Sequence, residues 1–240
     1  MGLMTMNRSL GSRDPDSSAS PVTWRVGFWS AVLCALLSLL YIVFQLAEWL
    51  GLLGSEGGPE STSTPLGLVL LLTPSLLLAP CFVVLIIAVR HLIPEGRRIW
   101  GEAGVAFAII YATLIGIVYY VQLTLVLPRM LEGRTDDIGV LLFVPFDSFL
   151  YSVDLLGYSF MSLATLVAAF GLKGLAQARA PCGFFLANGL LVPFLLFQIY
   201  INWLIFIAAL WAVTFPGAAI ALALLFRRRV LASENGDLVE

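Results

Sequence analysis

Long apolar stretches joined by short polar connections dominate the chain. The apolar runs cover about residues 26–53, 66–89, 104–127, 146–172 and 183–226, and each is at least as long as the roughly 20 residues that a helix needs to cross a bilayer. As one helix the last run would extend about 66 Å, roughly twice the hydrocarbon thickness. It is therefore divided near Tyr200 to Leu204, with Asn202 as the turn residue, into spans at 183–201 and 204–226. The pattern predicts an all-α polytopic membrane protein, a bundle of six transmembrane helices.

Two segments fall outside that rule. Residues 1–23 are rich in Ser, Asp and Pro and lack a helical apolar pattern, which predicts a disordered tail. The first run is too long for a signal-peptide core, so it is expected to remain as span one. Met6 stands where a myristoylation signal requires Ser or Thr. The stretch Ile138 to Phe146, IGVLLFVPF, would make span four too long if it were joined to it, and is expected to be a short surface-lying or re-entrant segment. Pro145, tolerated in a first helical turn, is expected to open span four.

Charge orients the bundle. With six spans, Arg8, Arg13, Arg25, Arg90, Arg97, Arg98, Lys173, Arg179 and Arg227 to Arg229 share one side, and only Arg129 and Arg134 face the other. The excess of basic residues marks the cytoplasmic side. This predicts a cell-membrane protein with both termini cytoplasmic, a six-helix domain over 24–229 and a short C-terminal tail over 230–240. Trp24, Trp29 and Trp100 near one surface, and Trp49 and Trp203 near the other, fit interfacial aromatic belts.

Composition narrows the chemistry. The chain is 60% hydrophobic and 12% charged with a net charge of −2, so the expected partner is the lipid bilayer and not nucleic acid. Cys34, Cys81 and Cys182 have no metal spacing, and His91 is the single histidine, so neither a metal site nor a cofactor is expected. The single lysine, Lys173, sits at a span end, which argues against a buried Schiff-base chromophore.

Polar side chains inside the spans follow helical spacing. Asp147, Tyr151, Asp154, Tyr158, Ser162 and Thr165 are separated by 4, 3, 4, 4 and 3 residues, placing them on one face of span four. Ser38, Tyr41, Gln45 and Glu48 repeat the pattern in span one; Tyr119 and Gln122 add to span three, and Gln198 and Asn202 to span five. Counted by depth, Gln45, Glu48, Tyr119, Gln122, Asp147, Tyr151, Asp154, Gln198 and Asn202 all fall in the outer half. Together with Tyr158 they are the candidate ligand-binding residues, centred on Asp154, whose carboxyl is too costly to point at lipid. Bland roles stand beside this one: Asp147 as a complement to a helix N-terminus, Glu48 as a solvated interfacial acid, the tyrosines as packing or belt aromatics, and Asp154 as an inter-helix hydrogen-bonding group.

Gly104, Ala108, Ala112 and Gly116 form a small-residue ridge in span three, suited to close helix packing. A neighbouring helix of the same chain is the favoured partner, and a homodimer is the alternative. Pro74, Pro80, Pro193 and Pro216 are expected to kink spans two, five and six. Three functional readings follow. The first is a non-catalytic assembly or sensory subunit whose polar stripes knit helices together. The second is a small carrier or ligand-binding protein with an outward-facing polar cavity for a small-molecule or lipid ligand. The third is a membrane-embedded enzyme using Asp154 with Asp147 or Glu48 in acid catalysis on a lipid-like substrate.

Overall fold

Helices form wherever the apolar runs lie, and the signals that start them are local. The computed structural model describes residues 20–236, and among these it contains helices and no strand. Residues 1–19 of the expected tail, and 237–240 at the other end, lie outside the described residues. Pro21 to Thr23, expected in the tail, instead form the first turn of α1 (Pro21–Trp49), with Pro21 at the start and Ser20 in extended backbone before it. The pyrrolidine ring suits that position, because the missing amide hydrogen has no intrahelical partner there anyway.

Helix α2 (Pro65–Arg90) opens the same way, with the Thr64 hydroxyl accepting from the Gly67 amide at 3.2 Å. Helix α3 (Arg98–Val121) runs through a π turn at Gln122–Val126 into α4 (Leu127–Leu131). After a connection holding a 3₁₀ turn at Gly139–Leu141 comes α5 (Phe149–Leu172). The last long run is interrupted: α6 (Arg179–Gly189) and α7 (Val192–Phe197) lead to a 3₁₀ turn at Asn202–Leu204, followed by α8 (Ile205–Ala208) and α9 (Trp211–Gly236). Pro193 sits at the start of α7, where span five breaks. Six helical stretches are long and apolar enough to cross a membrane, at Pro21–Trp49, Pro65–Arg90, Glu95–Leu131, Phe149–Leu172, Ala176–Phe197 and Asn202–Glu234.

The start of α5 departs from expectation. Phe146 has φ +61, in the left-handed region, so no right-handed helix can run through it from Pro145. The helix begins at Phe149, with the Ser148 hydroxyl accepting from the Tyr151 amide at 3.2 Å. Asp147 is therefore exposed on the connection and lies off the α5 face to which its spacing assigned it.

Six consecutive spans close into a ring, each packing on its neighbours in the order α1, α2, α3, α5, α6, α9 and back to α1. At the end that carries Trp24, the Trp24 and Phe226 rings stack at 6.1 Å, and Gly27 leaves room for Phe226 where a Cβ would stand 2.9 Å from the ring. Helices α5 and α6 meet backbone to backbone at Gly189, where a Cβ would lie 2.8 Å from Leu166 Cα. On the α3 ridge, Gly104 and Ala108 are buried, with Ala164, Ile86 and Val167 around Gly104, whereas nothing lies within 4 Å of a Cβ built at Gly116. Side chains pointing out of the ring are large and apolar, among them Leu36, Val43, Ile117, Phe206 and Val213. That is the reverse of a water-facing surface.

Candidate ligand-binding site

Half-way along the bundle five aromatic side chains close a circuit. Phe82 meets Tyr111, Tyr111 meets Tyr158, Tyr158 meets Trp211, Trp211 stacks on Phe215 and Phe215 returns to Phe82, with centroid separations from 5.3 to 5.8 Å. Offset and edge-on contacts of this kind pack rings tightly. The circuit is a floor that fills the space between the helices.

Above it, toward the end that carries Trp49, lies a cavity of about 330 Å³. Tyr41, Gln45 and Glu48 of α1, Tyr119 of α3, Tyr151, Asp154 and Tyr158 of α5, Gln198 beyond α7 and Trp211 of α9 line it. Leu68, Leu71 and Leu72 of α2 supply an apolar wall, and the α1–α2 connection contributes Gly58, Pro59, Ser61 and Ser63 at the rim with Phe143 and Pro145 opposite. Helical spacing puts the α1 and α5 groups on inward faces, while the glycine-rich connection, with positive φ at Gly51, Gly54, Gly57 and Gly58, folds back over the opening.

Some of the lining is internally satisfied. The Tyr41 hydroxyl donates to Gln45 Oε1 at 2.8 Å, the Tyr119 hydroxyl donates to that of Tyr158 at 3.2 Å, and Gln198 Nε2 donates to the Leu195 carbonyl at 3.2 Å. The rest is not. Both carboxylate oxygens of Glu48, Oδ1 of Asp154, Oε1 of Gln198 and Nε1 of Trp211 are buried and have no hydrogen-bond partner among the described residues. Glu48 is 2% exposed, Asp154 7% and Gln198 2%. Buried polar groups are nearly always paired, because leaving one unpaired costs about 1–3 kcal/mol; Ser75, Tyr111, Gln122 and Ser162 each leave one side-chain atom unpartnered elsewhere, and four such residues gather around this one cavity. Glu48 reaches its place because Gly67 has no side chain: a Cβ there would lie 2.8 Å from Glu48 Oε2.

Among the described residues no arginine, lysine or histidine lines the cavity. The arginines nearest this end are engaged elsewhere, Arg129 with Asp137 and Arg134 with Glu132. The guanidinium hydrogen bond from Arg129 holds the Asp137 carboxyl below its ordinary range. At the other end Arg90 and Arg98 share Glu102, and Arg25 pairs with Glu234. No group of three or more His, Cys, Asp or Glu side chains that could hold a metal lies among the described residues.

Among the candidates read from sequence, Asp154, Tyr151, Tyr158, Tyr119, Gln45, Glu48 and Gln198 are brought together. Gln122 is not: its Nε2 donates to the Leu141 carbonyl at 2.6 Å, tying the π turn to the connection before α5. Asn202 faces outward and donates to Glu60 Oε1 at 3.3 Å, and Asp147 is exposed. Sequence reasoning missed the Trp211 indole and the rim at 58–63; Tyr41 shared the α1 stripe but was not counted a ligand-binding candidate. An indole flanked by Ala208, Ala209 and Ala212, all in the lining, was the available signal for the first. No known protein family, no curated protein and no solved structure matches the chain.

Proposed function

We propose that this is a non-catalytic, multi-pass membrane protein that binds a small ligand in the cavity above the aromatic floor. The excess of basic residues at the Trp24 end supports a cytoplasmic position for that end and, with it, a cavity in the outer half of the bilayer. The observation that carries the reading is the set of unpartnered polar atoms of Glu48, Asp154, Gln198 and Trp211 around one space. A polar network that served only to knit helices would close its own hydrogen bonds. Below the cavity the aromatic circuit separates it from the cytoplasmic half, which suits capture from one side.

Asp154→Leu and Glu48→Met test this without a known ligand, each in the full chain purified in lipid nanodiscs. Groups kept for a ligand have little pairing to lose, Glu48 none and Asp154 one hydrogen bond with Tyr119, so removing them should leave the midpoint of thermal unfolding nearly unchanged or raise it. A marked drop in both variants would assign the two acids to helix packing and end the proposal. The milder Asp154→Asn provides the same reading if the apolar variant fails to fold.

A further inference from the structure

Which compound fits is a question of charge, shape and access. We infer that the cavity takes a cationic amphiphile, an ammonium head on an apolar chain, and that the chain enters sideways through a window between α1 and α8. This rests on the binding reading above.

Charge comes first. Two carboxyl side chains, Glu48 and Asp154, are buried in the lining without a cation beside them, while every arginine pair described above lies outside the cavity. A carboxylate at hydrocarbon depth needs a compensating group, and the described residues of the lining supply no cation. The rings of Tyr41, Tyr158 and Trp211 are the complementary element, since aromatic faces attract a desolvated ammonium. Tyr41 and Tyr158 both lie edge-on to the Trp211 indole, at 5.9 and 5.8 Å, so three rings meet on the cavity floor. An anionic head would face two acids and no donor cation, and a neutral chain would leave the acids as they are.

Access comes second. Near the floor α1 and α9 touch at Tyr41 and Trp211, and at the rim α1 touches α8 at Trp49 and Phe206, 6.2 Å apart. Ile42 and Leu46 of α1, Ile205 of α8 and Ala209 just after α8 all line the cavity. Leu46 is nevertheless 53% exposed. A side chain that lines the cavity and is yet half exposed is where we place the window, and Ala209, a small residue, lines the same cavity from the end of α8. At about 330 Å³ the cavity is at the small end of ligand sites. It holds a head group and a few carbons, and a longer chain has to leave through the window into lipid.

The test uses three probes with the same twelve-carbon chain, dodecyltrimethylammonium, dodecanol and dodecanoate, together with chainless tetramethylammonium. Each is added below its micellar concentration to the full chain in phosphatidylcholine nanodiscs, and binding is read as a saturable rise in unfolding temperature. Dodecyltrimethylammonium should bind at least about tenfold more tightly than either chain-matched probe, the scale of a desolvated cation at aromatic faces. Glu48→Gln with Asp154→Asn should remove that preference. Ala209→Phe, or Leu46→Trp on the other jamb if the first fails to fold, should weaken dodecyltrimethylammonium about tenfold and leave tetramethylammonium unchanged. Equal binding of the three chains overturns the charge argument, and a window variant without effect overturns lateral entry, each leaving the cavity reading intact. Absence of saturable binding by every probe overturns this inference; if Asp154→Leu and Glu48→Met also destabilise the protein, the binding proposal falls with it.

Discussion

Two polar clusters of this bundle are built from similar side chains and end in opposite states. Near the C-terminal end of α6, Asn188 is fully buried; its Nδ2 donates to Thr165 Oγ1 of α5 at 3.1 Å, and its Oδ1 accepts from Thr214 Oγ1 of α9 at 2.9 Å. Thr165 passes its own proton to the Ser162 carbonyl at 2.8 Å. Both ends of the amide are used, and three helices are joined. The cavity brings Glu48, Asp154, Gln198 and Trp211 to one place from four helical segments and leaves an atom of each without a partner. Being polar and buried therefore does not separate architecture from function in such a protein. What separates them is whether the hydrogen bonds close inside the molecule.

Breaking the closed cluster should cost the most. Gly189 adjoins Asn188 and lets α6 lie against the α5 backbone, so Gly189→Ala should wedge the two helices apart and stretch the Asn188 bonds. A loss of about 1–3 kcal/mol is expected, the usual cost of overpacking a tight contact, measured by denaturant titration in detergent micelles. Asn188→Leu keeps the branching of the side chain and removes two bonds, for which inter-helix hydrogen bonds in membranes suggest about 1–2 kcal/mol. A neutral Asn188→Leu would erase the distinction between the clusters. On the cavity side, Gly67→Ala sharpens it: the new methyl displaces the Glu48 carboxylate and should weaken dodecyltrimethylammonium binding more than it changes stability.

The contrast also explains what the sequence revealed. Helical spacing along α1 and α5 is a property of one helix, so it located Gln45, Glu48, Tyr151, Asp154 and Tyr158 on inward faces, and counting depth brought Tyr119 and Gln198 to the same level. Asn188 escaped because its partners lie 23 and 26 residues away on other helices, and no periodicity within α6 announces it. Asp147 and Asn202 were misplaced by backbone events that apolar patterning does not register: the left-handed Phe146 with the Ser148 cap, and the turn that ends α7. Gln122 opens a π turn, where the wider helical loop departs from the α-helical repeat on which the spacing argument relied. The six spans were legible because length and apolarity alone decide them. The inferred window was not, since it depends on which side chains of two different helices line one cavity.

Asp137 supplies the smallest effect and a third state for a carboxyl, one with its cation beside it. It is exposed and paired with Arg129 at the same end of the bundle as the cavity. Because that contact holds its carboxyl below the ordinary range, whatever stability the pair contributes is present above that range and disappears as the pH falls through the lowered value. Solvent screening makes such exposed pairs weak. Asp137→Asn should therefore leave the unfolding temperature near pH 7 within error and leave dodecyltrimethylammonium binding unchanged, in the same assay where Glu48→Gln with Asp154→Asn abolishes its preference. If Asp137→Asn weakened binding as much as the cavity variants do, the ammonium would be responding to the general negative potential of that surface, and the absence of an internal cation around Glu48 and Asp154 would lose its meaning.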